Sequence, residues 1–367
     1  MRELDLAGYA QAFGRIHGAF TMDAALLFFA YASLAGERGH VMEIGVHHGL
    51  SAIAVAALRG EGARMVALDT FGASGSATAS GGMSADERTF RASMERFHGD
   101  TSFVRVIAAD SRAVAPGDLG AGFSFCHIDG GHSAEETRSD LALASAVCRG
   151  GGLVALDDYF NPSFPGVSEG TVRHLIERPG DLAPLAIGAN KVLFRRGAAG
   201  DLNARLGERY PFIPRTRAVF AGSEVLVFGS GLAHYVDIGA SSVGELRPRE
   251  LRLRVDLEPH VDRLIASPGT TVPLRVRVRN RSNVPLEWSD SPFGLSYHVT
   301  GPIERYENAR VWFEPALAEG QERLMDVQVQ VPERPGEYTI EIDVVWEGIC
   351  WLRDRGNRPA TARLTVR

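Results

Sequence analysis

Two different hydrophobic periods divide this chain of 367 residues. Up to about residue 196, near-continuous apolar runs of strand length alternate with Ala- and Leu-rich stretches of helix length. The runs are Met42–Val46, Met65–Leu68, Val104–Ala108, Phe123–Ile128 and Leu153–Leu156. A strand that is apolar on both sides suits a parallel sheet covered by helices on both faces. The intervening segments Ser51–Leu58, Ala85–Phe97 and Ala134–Cys148 read as those helices. The last has the clearest limits, with Ser133 as N-cap, Glu136 completing a capping box, and Gly150-Gly151-Gly152 as the stop.

From Leu251 the period becomes two. Leu251, Leu253, Val255 and Leu257 alternate with charged residues, and so do the sets beginning at Val272, Met325, Tyr338 and Ala362. Turn signals at Ser267-Pro268-Gly269, Asn280–Asn283 and Arg334-Pro335-Gly336 separate them. This pattern predicts an α/β Rossmann-like doubly wound parallel sheet over residues 1–196, followed by an all-β antiparallel sandwich over 251–367. Residues 197–250 read as a connector, with Ala218–Phe228 able to add strand to either half.

Composition narrows the function classes. The 39 basic and 45 acidic residues leave a net charge of −6, which argues against a phosphate-backbone binder and so against nucleic acid as partner. Of the 39 cations only Lys191 is a lysine. Three cysteines without C-x-x-C spacing give neither a disulfide framework nor a thiolate zinc site, and suit a reducing, cytoplasmic location. The most apolar stretch, Ala24–Leu34, is too short to span a bilayer, and no basic segment precedes it as in a signal peptide.

Candidate chemistry gathers at the ends of the early strands. Glu43-Ile44-Gly45-Val46-His47-His48-Gly49 closes the first strand and opens a helix at Ser51. Its E-x-G-x-x-x-G spacing differs from the dinucleotide fingerprint, but the turn still brings backbone N–H groups to a crevice. Asp69 ends the second strand, where a carboxylate can accept both ribose hydroxyls, and Asp110-Ser111 end the third, next to where an adenine edge would lie. No role follows from these considerations for His47 and His48.

A second group lies farther along. Asp129 ends the fourth run and Asp157-Asp158 the fifth. Adjacent parallel strands bring these three carboxylates together, and they repel one another unless a cation lies between them. Oxygen ligands suit a hard divalent ion, Mg²⁺ before Mn²⁺ or Ca²⁺. His132, three residues beyond Asp129, is the candidate general base, because an imidazole pKa of about 6.5 lies near working pH. His127 points the same way but deeper, and reads as structural. The small-residue stretch Gly72–Gly82 reads as a mobile lid.

The strand-end set resembles the class I S-adenosylmethionine (SAM)-dependent methyltransferases over about residues 20–196. That resemblance implies that Glu43, Gly45, Gly49 and Ser51 lie by the methionine moiety, Asp69 by the ribose, and Asp110 with Ser111 by the adenine. The string His127-Ile128-Asp129-Gly130-Gly131-His132, with Leu156-Asp157-Asp158-Tyr159, is similar to the metal-dependent sugar O-methyltransferases of the macrocin and mycinamicin type. It implies Asp129, Asp157 and Asp158 as Mg²⁺ ligands and His132 as catalytic base. Cephalosporin-type hydroxylases resemble the same branch, so an iron-dependent hydroxylase is one alternative.

All four tryptophans, Trp288, Trp312, Trp346 and Trp351, fall in the last third with Tyr297, and aromatic faces stack on sugar rings as well as in cores. Residues 250–367 resemble the O-antigen-binding domain of polysaccharide ABC-transporter ATPases. The expected acceptor is therefore a carbohydrate or glycosylated small molecule, and the chain is open to assembly as a homo-oligomer. The other alternative is a glycan-binding protein with a non-catalytic methyltransferase-like scaffold.

Overall fold

The computed structural model describes residues 3–72, 86–287, 292–302 and 309–367. It comprises two compact units, residues 1–249 and 250–367. The expected lid falls almost wholly on 73–82, outside the described residues, as does Trp288.

In the first unit the apolar runs become strands β1 (His40–Ile44), β2 (Met65–Asp69), β3 (Val104–Ala108), β4 (Phe123–Ile128) and β5 (Cys148–Asp157). Four more follow, β6 (Leu182–Gly188), β7 (Lys191–Arg196), β8 (Thr216–Phe220) and β9 (Ser223–Val227). The nine form one sheet in the order β3-β2-β1-β4-β5-β7-β6-β9-β8. Helices α1 (Leu6–Ala10), α2 (Met22–Ala32), α3 (Leu50–Ala57), α4 (Glu87–His98), α5 (Pro116–Leu119), α6 (Ala134–Val147), α7 (Pro165–Glu177) and α8 (Leu202–Arg209) accompany it. Alternate residues of one strand feed two separate cores. Val41, Ala67, Phe125 and Ala155 pack with α2 and α3, while Met42, Val66, Cys126 and Val154 pack with α6. This two-sided burial explains why β1, β2, β4 and β5 read as continuous apolar runs.

The sheet is mixed, which corrects the expectation of a wholly parallel one. β3, β2, β1, β4 and β5 are parallel, but β7 runs antiparallel between β5 and β6, and β8 runs antiparallel to β9. The cause is two tight hairpins. Ala189 and Asn190 have φ of 51° and 63°, and Ala221 and Gly222 have φ of 47° and 77°. Two central residues with positive φ make the turn whose twist matches paired strands. Residues within 197–250 thus supply the last two strands of this sheet. The glycine triplet is also reassigned: α6 stops at Val147, and Gly150–Gly152 lie inside β5. At Gly152 a Cβ would stand 2.7 Å from the Cys148 sulfur and 3.0 Å from the Phe123 carbonyl, so the close strand approach requires a bare backbone.

In the second unit β10 (Val255–Pro259), β12 (Thr271–Asn280) and β15 (Glu322–Gln330) form a three-stranded sheet. A second sheet runs β11 (Arg263–Ala266), β18 (Ala360–Val366), β16 (Gly336–Trp346), β13 (Phe293–Thr300) and β14 (Val311–Trp312), with β17 (Cys350–Trp351) on β16. Tyr297 bridges the sheets: its hydroxyl donates to the Gln328 carbonyl at 3.0 Å and accepts from the Gln330 N–H at 2.8 Å. The pairings are antiparallel except β11 with β18, which are parallel, a second correction. The period-two pattern begins before the strand does. At Arg252 and Arg254 the N–H groups donate to Asn283 Oδ1 and Ser282 Oγ, both at 2.9 Å, so turn side chains stand in for a strand partner.

Candidate active site

The ends of β4 and β5 bring the second predicted group together. β4 is buried throughout, and Asp129, directly after it, is the first residue to reach partial exposure. Gly130 and Gly131 then lead through His132 to Ser133, whose hydroxyl accepts from the Glu136 N–H at 3.2 Å while Glu136 accepts from the Ser133 N–H at 3.1 Å. A Cβ at residue 131 would sit 2.3 Å from the Glu136 carboxyl carbon, so the capping box and the glycine specify each other. His132 is fixed on two sides. Its ring stacks on Phe164 at 3.9 Å and 15°, and its Nε2 lies 3.2 Å from Asp158 Oδ2. One oxygen or ring nitrogen from each of Asp129, His132 and Asp158 lies within 4.8 Å of the others.

Asp158 has a φ of 61°, a left-handed conformation that costs a non-glycine residue energy. Its N–H donates to Asp157 Oδ1 at 2.8 Å, and its Oδ1 accepts from Asn161 at 2.9 Å and Asn190 at 2.7 Å. Burial opposes ionisation, but the bonds from His132, Asn161 and Asn190 outweigh it and hold the carboxyl down at about 2. Asp129 behaves oppositely. Burial first, and the Asp157 charge second, push its carboxyl well above the usual range.

Asp157, expected with the other two carboxylates, lies with Asp129 and also pairs with the Lys191 ammonium. Both side chains of that pair are almost wholly buried, and the lysine also lies 5.0 Å from the centre of the Phe20 ring. Asp157 belongs to a second cluster with His127 and Asp129. His127 Nδ1 lies 2.8 Å from Glu43 Oε1, both side chains inaccessible to water. Burial raises the Glu43 carboxyl to about 8 and lowers His127 to about 3. Burial thus favours the neutral form of each group. Glu43 Oε2 and His127 Nε2 have no hydrogen-bond partner among the described residues.

On the cofactor side, Gly45 has a φ of 84° and a Cβ there would stand 1.9 Å from the Asp129 carbonyl oxygen. That glycine lets the β1 turn lie against the end of β4. Gly49, with φ of 93°, caps α3, and Ser51 is buried in the first turn of that helix. Asp69 accepts from the His47 and Phe71 N–H groups, both at 2.9 Å, tying the glycine turn to the end of β2. Those bonds leave lone pairs on both oxygens. Asp110 is engaged locally, pairing with Arg112 at 2.6 Å, and Ser111 opens the short 3₁₀ turn that follows it.

Sequence reasoning passed over Lys191, Asn161, Asn190 and Phe164 as site residues. The first had a signal, a sole lysine among 38 arginines. Asn161, Asn190 and Phe164 lie in turns that orient the site, and nothing in their local pattern marks them. In the second unit Trp346 is buried and stacked on Phe293 at 4.9 Å, and Tyr297 is core, whereas Trp312 and Trp351 are half-buried.

With this geometry in view, residues 42–159 match a family model described as a methyltransferase domain. The chain therefore carries an enzyme domain of the methyltransferase class. The solved structures similar to it include the O-methyltransferase NovP, at 16% identity over 47% of this chain and 79% of that one, with a TM-score of 0.41. CalS11, described as a TDP-rhamnose 3′-O-methyltransferase of calicheamicin biosynthesis, is 24% identical over 47% and 79%, with a TM-score of 0.36. An O-methyltransferase from Bacillus cereus in complex with SAH is 16% identical over 53% and 90%, with a TM-score of 0.40. No curated protein matches.

Proposed function

We propose that the first unit transfers a methyl group from SAM to a sugar hydroxyl of a glycan or glycosylated metabolite, with a divalent cation, Mg²⁺ before Mn²⁺, in the carboxylate group. The observation that carries this reading is the Asp129–His132–Asp158 cluster at the C-terminal edge of a sheet whose residues 42–159 match a methyltransferase domain.

The residues fit both groups. Lys191 offsets one of the three aspartates, leaving two carboxylates for a divalent ion. The N–H groups at the start of α3 and the open lone pairs of Asp69 suit the amino acid and ribose ends of SAM. When bound, SAM supplies an electrophilic methyl on its sulfonium, and the cation lowers the pKa of an acceptor hydroxyl.

The chain's own residues supply the rest. With Nε2–H donated to Asp158, His132 accepts the hydroxyl proton at Nδ1, and Asp158 stabilises the imidazolium that forms. Phe164 fixes the plane of that ring. Asp129 and Asp158 would hold the ion, while Lys191 keeps Asp157 in position. The facial-triad alternative has less support, because His127 and His132 fall in separate clusters and neither cluster offers two imidazoles with a carboxylate. Half-buried Trp312 and Trp351 support a sugar-binding role for the second unit. Free Cys126, Cys148 and Cys350 support a reducing, cytoplasmic setting, and among the described residues no helix is long and apolar enough to cross a membrane.

The deciding experiment is calorimetry with SAM, followed by transfer of labelled methyl to a panel of sugar nucleotides and glycosides. His132→Gln should retain SAM binding and lose roughly 10²–10⁴-fold in rate, the usual contribution of a general base. Absence of SAM binding at millimolar cofactor removes the enzyme reading, and wild-type rates for His132→Gln in EDTA remove the base and the cation.

A further inference from the structure

The turn between β1 and α3 carries adjacent histidines, His47 and His48, which methyl transfer does not use. The fold adds a third, His17, from the segment between α1 and α2. Ring centroids are 3.9 Å apart for His47–His48, 5.6 Å for His17–His47 and 6.1 Å for His17–His48. One ring nitrogen of each lies within 4.8 Å of the other two. Such a group is a poor packing device, since protonated rings repel and neutral rings bury nitrogens that need partners.

His47 reveals which nitrogen is available. Its Nδ1 lies 3.2 Å from the His17 carbonyl oxygen. A carbonyl only accepts, so Nδ1 carries the proton and Nε2 the lone pair. That Nε2 is buried and has no hydrogen-bond partner among the described residues. A metal-ligating histidine is built this way, with one N–H anchored on a backbone carbonyl and the other nitrogen turned to the ion.

We propose that His17, His47 and His48 form a site for a borderline divalent transition-metal ion, Zn²⁺ in the first instance, separate from the oxygen-rich group at Asp129 and Asp158. Imidazole ligands suit Zn²⁺, Cu²⁺ or Ni²⁺, whereas Mg²⁺ and Ca²⁺ take oxygen. In a tetrahedral site with Zn–N of about 2.0–2.1 Å the nitrogens stand roughly 3.3 Å apart. Closing from the present spacing is side-chain rotation, for which exposed His17 has room. Three protein ligands leave the fourth position open to water or a small anion. Two ion sites in one unit are thereby sorted by ligand hardness.

The test titrates Zn²⁺ into the metal-stripped full chain in millimolar Mg²⁺, with Co²⁺ as a spectroscopic substitute. One equivalent should bind, and Co²⁺ should give the intense visible bands of four-coordination. His17→Gln and His48→Gln should each weaken Zn²⁺ binding at least tenfold, while Asp129→Asn/Asp158→Asn retains it. Unchanged affinity in His17→Gln overturns the proposal, as does loss of the equivalent in the double aspartate variant. His17 is exposed, so that variant remains decisive even where His48→Gln disturbs folding.

Discussion

Buried charge in the first unit is managed residue by residue. The Lys191–Asp157 pair has both members almost wholly buried, so removing one leaves the other charged and unpartnered. Lys191→Met should cost about 3–5 kcal/mol, and Lys191→Met/Asp157→Asn should recover much of it. Urea unfolding of the three proteins checks this, and a double variant no better than the single one contradicts the pairing. Glu43 offers a test in pH. Its folded pKa of about 8 lies above its ordinary 4.5, so between those values the folded state binds more protons than the unfolded chain. Stability from this group is present below pH 4.5 and declines as pH rises towards 8. Glu43→Gln should therefore flatten the stability profile between pH 5 and 8, and an unaltered slope would assign the proton elsewhere. Residue types were legible in the sequence where they carried their own signal, as with Asp129, His132 and Asp158. The pairing of Asp157 was not, because Lys191 reaches it only through a hairpin 34 positions away.

At the scale of elements, the legible features were those with one local cause. The Ser133–Glu136 capping box and the five apolar strands follow from short-range pattern. β6 to β9 were harder, because the Ala189-Asn190 and Ala221-Gly222 turns that reverse the chain lack a strong turn signature. β13 is buried along seven of its eight residues, so it shows no alternation to detect. The joint between β1 and β4 rests on Gly45. Gly45→Ala combines a positive φ with a Cβ at 1.9 Å from the Asp129 carbonyl. It should destabilise by about 2–4 kcal/mol through strain and overpacking. Denaturant unfolding together with SAM calorimetry would detect it, and a stable variant with intact binding would mean that the two strand ends tolerate separation.

At the scale of the molecule, the change of period near residue 251 coincides with a change of architecture from a helix-covered sheet to two β-sheets. Chains ending at Arg249 and beginning at Glu250 should each unfold cooperatively, because each unit has its own buried core. Calorimetry of both pieces tests this, and a piece without a transition would show that it needs its neighbour. Lys191 has one more consequence, for labelling chemistry. With no second lysine in the chain and this one 2% exposed, an acylating reagent finds no ε-amine on the native surface. Apart from the α-amino group, acylation becomes a clock for the opening of the first unit. Its rate at a single, mass-identifiable position reads how often the sheet parts at β7, without any dye or engineered probe.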